Sequence, residues 1–223
     1  MGLGLLPLIS LYLNAATAGE FHALFTECFE PRAYFNRITE LLKIDTLIDC
    51  GAFDGDSIHD FIDVFPQYKR IIAVEPDALN LQKLIKRKER ENIQNLTVIN
   101  RGVGAENRTL RFHANGESNS FLDEGGETEI QITTLDEIAS GLEGTILLKM
   151  DIEGAELDAL HGAEKLIRER HPVLTICVYH KEEDLIEIPQ FIQGIVGDGV
   201  YDYYLAFHGL DLAELVFYAV PKN

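Results

Sequence analysis

Asp49, Glu75 and Asp151 each close a short apolar run, and an acid in that position can hold a ligand's hydroxyls or its positive charge. Residues 46–57 read Thr-Leu-Ile-Asp-Cys-Gly-Ala-Phe-Asp-Gly-Asp-Ser. Leu47 and Ile48 run into Asp49, Gly51 and Gly55 follow, and a helical pattern begins at Ser57. Strand, glycine turn and helix, in that order, let the backbone of an α/β protein approach a ligand. Residues 71–74 are a second apolar run ending in Glu75, well placed for the hydroxyls of a ribose. A pyrophosphate site needs G-x-G-x-x-G and bare amides. This loop has two glycines and three carboxylates, Asp49, Asp54 and Asp56. They would repel phosphate and suit a cationic nucleoside. S-adenosylmethionine (S-adenosyl-L-methionine), with a sulfonium, an ammonium and no phosphate, fits better than a dinucleotide; Asp56 also reads as a solvated turn acid.

Chemistry that removes a proton from a hydroxyl is helped by a general base, and a histidine suits that role at neutral pH. His180 and His208 each end an apolar run, on the rim where open sheets bind ligands; the alternative for each is a strand-end histidine bonded to backbone. Lys149 and Asp151 share one face of the run at 145–150 by alternation. A lysine so buried needs a carboxylate, and Asp151 is its expected partner, while still reaching cofactor or acceptor. The candidate catalytic groups are therefore His180, Asp151, His208 and Lys149. Asp151 and Glu153 offer oxygens to a divalent ion, but two carboxylates equally suit a helix start, and no metal is expected. Glu156 and Asp158 read as surface or structural.

Periodicity supplies the elements that must position these groups. Residues 21–43 read as helical, broken at Pro31, with a second helix at 33–42. Strands are expected at 46–49, 71–74, 96–99, 145–150, 173–179, 201–207 and 215–220, with helices between most of them. Residues 108–113 and 129–133 read as an added strand pair, and 114–128 as a mobile loop or lid. Asp77 is the expected cap of a helix, and a short helix opens at 134–137. Alternating strands and helices give a mostly parallel sheet covered on both faces. The last connection, 209–214, is too short for a crossover, so the last strand runs antiparallel. The fold class is α/β: a Rossmann-like methyltransferase fold with a seven-stranded sheet.

The 223 residues suffice for one α/β domain, placed at 41–223 after a helical segment at 1–40. A net charge of −18 argues against nucleic acid or an anionic membrane surface as partner. Cys28, Cys50 and Cys177 are widely spaced, with no zinc-site pattern, which suits a reducing, cytoplasmic setting. Residues 3–13 are apolar and Ala16-Thr17-Ala18 looks like a signal-peptidase site, but no Lys or Arg precedes them. A docking helix or a cloning remnant is the reading adopted.

The chain resembles the FkbM-type methyltransferases through Asp49-Cys-Gly-Ala-Phe-Asp-Gly55, Val74-Glu-Pro76, Gly102-Val-Gly104, Thr134-Leu-Asp136, Leu148-Lys-Met-Asp-Ile-Glu-Gly-Ala-Glu156 and Leu160-His-Gly-Ala163. These occur in the family's order over about 41–220, and the Lys-x-Asp-x-Glu-Gly-Ala-Glu run is the most specific. Phe53 stands where the family usually has Asn; Val178-Tyr-His-Lys181 and Phe207-His208 resemble one bacterial branch. The resemblance implies an O-methyltransferase acting on a small molecule or glycan, with Asp49, Gly51, Glu75 and Asp151 around the cofactor and Gly102-Val103 along the adenine. With the neighbouring loop residues, the expected cofactor set is Asp49, Cys50, Gly51, Ala52, Phe53, Gly55, Asp56, Ser57, Glu75, Pro76, Gly102, Val103 and Asp151. The rival readings are a nucleotide-dependent oxidoreductase and a non-catalytic nucleoside-binding domain.

Overall fold

A computed structural model describes residues 21–23, 33–113, 121–122, 128–208 and 215–222. The strands are β1 (Phe21–Ala23), β2 (Thr46–Cys50), β3 (Arg70–Val74), β4 (Leu96–Ile99), β5 (Gly102–Val103), β6 (Arg108–His113), β7 (Phe121–Leu122), β8 (Thr128–Thr133), β9 (Ile146–Met150), β10 (Val173–Cys177), β11 (Tyr201–Phe207) and β12 (Leu215–Pro221). The helices are α1 (Asp56–Val64), α2 (Ala78–Arg90), α3 (Leu135–Ile138), α4 (Glu156–His161), α5 (Glu164–Arg170) and α6 (Asp184–Val196). Asp77 caps α2 as expected, accepting from the Leu79 and Asn80 amides, and Thr134 caps α3.

The main sheet has the order β1-β11-β12-β10-β9-β2-β3-β4. β12 is antiparallel to β10 and β11, and every other pair is parallel. This is the expected seven-stranded sheet with an antiparallel last strand, plus β1 at its edge. A smaller sheet, β5-β8-β6-β7, contains the expected pair β6 and β8.

Strand residues alternate between two cores, as the pleat demands. Ile48, Cys50, Ile72, Val74, Leu148 and Met150 face α4, α5 and α6. Leu47, Ile71, Ala73 and Leu147 face α1, α2, Phe35 and Phe65. Asp49 and Lys149 have the same parity as Leu47 and Leu147, so two charges enter the second layer, just below the strand tips.

The helical reading of 21–43 is corrected where the structure describes it. Phe21–Ala23 is a strand, parallel to β11 with Phe21 opposite Tyr203. Residues 33–42 are bends and turns. The Asn36 side chain explains this locally: it accepts from the Ile38 amide at 2.9 Å and donates to the Ala33 carbonyl at 3.1 Å, competing with helical bonding. Phe35 inserts edge-on against Phe61 and Phe65, which leaves its neighbour Tyr34 at the site. Residues 1–20 and 24–32, with the signal-like stretch, Cys28 and Pro31, lie outside the described residues. So does the 114–128 loop, apart from β7 and Thr128. Among the described residues no helix is long and apolar enough to cross a membrane.

Candidate active site

The tips of β2, β3 and β9 are neighbours, and the loops beyond them wall a cavity. After β2 the chain turns at Gly51, whose φ is +73° and whose missing Cβ would fall 1.8 Å from the Asp151 carbonyl oxygen. Only glycine permits that approach. Gly51→Ala is therefore expected to cost about 2 kcal/mol or more, read as a lower denaturant midpoint, because both the left-handed φ and the contact must be relieved.

Phe53 also has a left-handed φ, 45°, a conformation that Asn takes more readily than an aromatic residue. The turn aims the Phe53 amide at Glu75 Oε2, 2.9 Å away, while the Asp77 amide holds Oε1 at 2.9 Å. Asn100 pins the same rim by donating to the Glu75 and Pro76 carbonyls. Glu75 is thus fixed in the wall of the cavity. Burial pushes its carboxyl up to about 7, with the Asp77 charge adding to the shift and the two amides and Lys149 opposing it.

Beneath the loop, Asp49 and Lys149 are opposite one another in the β2–β9 register, and their charged atoms lie 3.0 Å apart. The lysine also donates to the Gly51 carbonyl at 2.8 Å, and Ser57 donates to Asp49 at 2.6 Å. Burial opposes the charge on Lys149, but Asp49 and then Asp151 outweigh it and hold the ammonium protonated. The expected partner of Lys149 is corrected accordingly: the parallel register supplies Asp49 directly across, ahead of Asp151 two residues along. Asp49 itself lies outside the cavity lining. It is fully buried and anchors the loop from below.

Asp151 follows β9, on the opposite side of β2 from Glu75, and also lines the cavity. Tyr34 donates to its Oδ2 at 2.7 Å and Tyr179 to its Oδ1 at 3.4 Å. Burial alone would raise this carboxyl; Lys149 first, then Tyr34, bring it below the ordinary aspartate range. His180 stands behind, with Nε2 3.4 Å from Asp151 Oδ1 and Nδ1 2.9 Å from Glu156 Oε1. Glu156 is fully buried, not a surface residue, and takes the Ile152 amide on the same oxygen. Asp158 is structural, accepting from Arg108 and the Ala105 amide.

Of the expected cofactor residues, Gly51, Phe53, Asp56, Ser57, Glu75, Pro76, Gly102, Val103 and Asp151 line the cavity, together with Lys149. Asp49, Cys50, Ala52 and Gly55 do not. Cys50 and Ala52 are packed into opposite cores, and Gly55 turns the chain into α1. Asp54 is drawn away by Arg87 at 2.8 Å. Of the three loop acids, only Asp56 faces the cavity, and the acids lining it are Asp56, Glu75, Asp151 and Glu153. His208 stands outside the lining. It is buried, bonds Tyr218 through Nε2 at 2.6 Å, and burial lowers its pKa to about 4. Tyr34, Arg101 and Tyr179 line the cavity without having been singled out in the sequence. Tyr179 had a signal, standing next to His180 at a strand end; Tyr34 had none, since its segment carries a helical pattern.

The methyltransferase FkbM domain matches over residues 49–196 of the 223. The chain belongs to the FkbM methyltransferase family. An FkbM methyltransferase from Methylobacillus flagellatus KT is similar at 28% identity with a TM-score of 0.70, over 87% of this chain and 49% of that one. This chain thus spans about half the length of that protein. Two further structures share the fold alone: a methyltransferase from Geobacter sulfurreducens (11% identity, TM-score 0.53, 96% and 89% of the two chains) and an rRNA methylase from Streptococcus thermophilus (15%, 0.51, 82% and 91%). No curated protein matches. The fold brings two separate FkbM motifs into contact, since a Cβ at Gly162 would lie 2.1 Å from the Gly104 carbonyl oxygen.

Proposed function

We propose that this FkbM domain transfers a methyl group from S-adenosylmethionine to a hydroxyl oxygen of a small molecule or glycan. The observation that carries the reading is one cavity lined both by a braced acid beyond β3 and by an acid–tyrosine cluster beyond β9, on either side of β2. Glu75, braced by two amides, presents its carboxylate toward hydroxyl donors. Gly102 and Val103 line the cavity where an adenine would lie, and Gly51 lets the main chain come close. Asp56, Glu75 and Asp151 make the site attractive to a cation and unattractive to pyrophosphate.

When bound, S-adenosylmethionine supplies an electrophilic methyl group on its sulfonium. The chain's own residues then orient the acceptor. Asp151, held by Tyr34 and Tyr179, lies where an acceptor hydroxyl can be received, and His180 backs it at 3.4 Å. These groups position the hydroxyl in line and favour loss of its proton. The high negative charge supports a neutral or basic acceptor over nucleic acid.

Isothermal calorimetry tests the assignment. S-adenosylmethionine and its demethylated product should both bind at micromolar protein, and a reduced nicotinamide dinucleotide should not. Absence of heat with the first two, or tight binding of the third, would overturn it.

A further inference from the structure

Tyr34 lines the cavity from a segment with no helix or strand to hold it. Its hydroxyl donates to Asp151 Oδ2 at 2.7 Å and its ring lies 5.0 Å from the Lys149 ammonium, so it meets both charges. Side chains must fix here what a ladder fixes elsewhere. Two anchors flank the residue. Phe35 is buried edge-on against Phe61 and Phe65, on one side of Tyr34 in the chain. On the other side, the Ala33 carbonyl accepts from the Tyr218 hydroxyl and from Asn36 Nδ2, which also donates to Tyr218 at 2.8 Å. Tyr218 is fully buried in β12, opposite Tyr204 of β11. With Cys177, Ala206 and Val216 it forms the apolar patch on which Tyr34 and Ile38 rest.

The chemistry of the Tyr218 hydroxyl gives His208 its part. The Ala33 carbonyl can only accept, so the hydroxyl's one proton goes to it. His208 Nε2, 2.6 Å from the same hydroxyl oxygen, must then be a donor. Burial keeps this imidazole neutral at pH 7, so its single proton sits on Nε2. Nδ1 is left buried with no hydrogen-bond partner among the described residues. A bare buried nitrogen costs free energy that an apolar residue at 208 would not incur. The bond from Nε2 to Tyr218 is what the ring supplies in return.

We infer that Tyr218 and His208 are positioning residues for the acceptor site: His208 fixes the hydroxyl that seats Ala33, and the seated chain delivers Tyr34 to Asp151. His208 thus acts through Tyr218 and Tyr34, in place of the catalytic role expected from its strand end. The inference deepens the methyltransferase reading, on which its consequence for turnover rests. With Oδ2 held by Tyr34, Oδ1 is the Asp151 oxygen with only longer contacts, 3.4 Å to Tyr179 and to His180, and it is the one left for an acceptor hydroxyl. A misplacement of about 1 Å at such a point costs on the order of 100-fold in rate.

Fluorotyrosine incorporated throughout the full chain tests this by 19F NMR, with no ligand present. Eight tyrosines are few enough to resolve, and Tyr34→Phe identifies the Tyr34 signal by its loss. Tyr218→Phe keeps the ring and removes the hydroxyl, and should shift the Tyr34 signal toward that of solvent-exposed fluorotyrosine. His208→Leu should do the same. His208→Gln, whose amide can donate in place of Nε2, should hold the signal near its parent position. Tyr201→Phe is the control for a lost buried hydroxyl: it breaks a 2.9 Å bond to the Pro172 carbonyl in the other core and should leave Tyr34 unmoved. A Tyr34 signal unchanged by Tyr218→Phe, or shifted equally by Tyr201→Phe, overturns the inference, as does a His208→Gln protein that behaves like His208→Leu. Calorimetry with the demethylated cofactor on the parent protein separates the two assignments. Cofactor binding with an unmoved Tyr34 signal sinks the positioning role alone, whereas a shifted signal without cofactor binding keeps that role and sinks the methyltransferase reading.

Discussion

Lys149→Met should destabilise the fold by about 3–5 kcal/mol, the largest stability effect expected of any single change described above. The substitution preserves volume but leaves Asp49 fully buried with only the Ser57 hydroxyl at 2.6 Å, and it deprives the Gly51 carbonyl of its donor. Denaturant unfolding should show a lower midpoint at unchanged slope. The double variant Asp49→Asn, Lys149→Met should regain much of the loss, because no uncompensated charge remains. Acid should also partly rescue the single variant. With its cation gone, burial raises the folded-state pKa of Asp49 above its unfolded value. The folded state then binds the proton more tightly, and the loss is smallest below the unfolded pKa and grows as pH rises. A pair worth nothing would leave Lys149→Met as stable as the parent protein.

Glu75→Ala is expected to weaken S-adenosylmethionine binding about 100-fold, as two hydrogen bonds to a charged acceptor are lost together. The effect should exceed that of His180→Ala, because His180 lies behind Asp151 and outside the cavity lining. The wild-type site should also show a pH signature. Glu75 titrates at about 7 in the unliganded protein, whereas ribose hydroxyls and a sulfonium favour its carboxylate. Binding must then expel a proton, so affinity rises with pH and levels off above about 7. Below that point it falls by about tenfold per unit. Calorimetry near neutral pH in buffers of different ionisation heat would count the proton released. The same shift makes a linked demand on stability. Between the ordinary value of 4.5 and about 7 the folded chain holds a proton that the unfolded chain has lost, so this group's contribution declines as pH rises through that window. A flat affinity profile from pH 6 to 8 would remove Glu75 from the ribose position.

Periodicity and strand-tip chemistry in the sequence determined a good deal. Apolar alternation located the seven strands, the short 209–214 connection required an antiparallel last strand, and Glu75 and Asp151 were placed on the ligand rim. Gly51 was legible because its turn is a local feature, and the family resemblance put Gly102 and Val103 at the cavity they line. Tertiary structure decided which carboxylate meets which cation. Asp49 and Lys149 are paired by the register of β2 on β9, which no local pattern encodes, and that pairing holds Asp49 beneath the loop, outside the cavity lining. Arg87 took Asp54 out of the loop in the same way. Tyr34 reaches Asp151 from 117 positions away, in a segment whose apolar spacing suggests helix until Asn36 and Phe35 find their tertiary partners. Glu156 has the composition of a surface helix start and became fully buried because His180 and the Ile152 amide converge on it. Local spacing carries periodicity and turn chemistry, which depend on near neighbours in the chain. Ion pairing and burial depend on distant residues brought together, so the fold had to settle them.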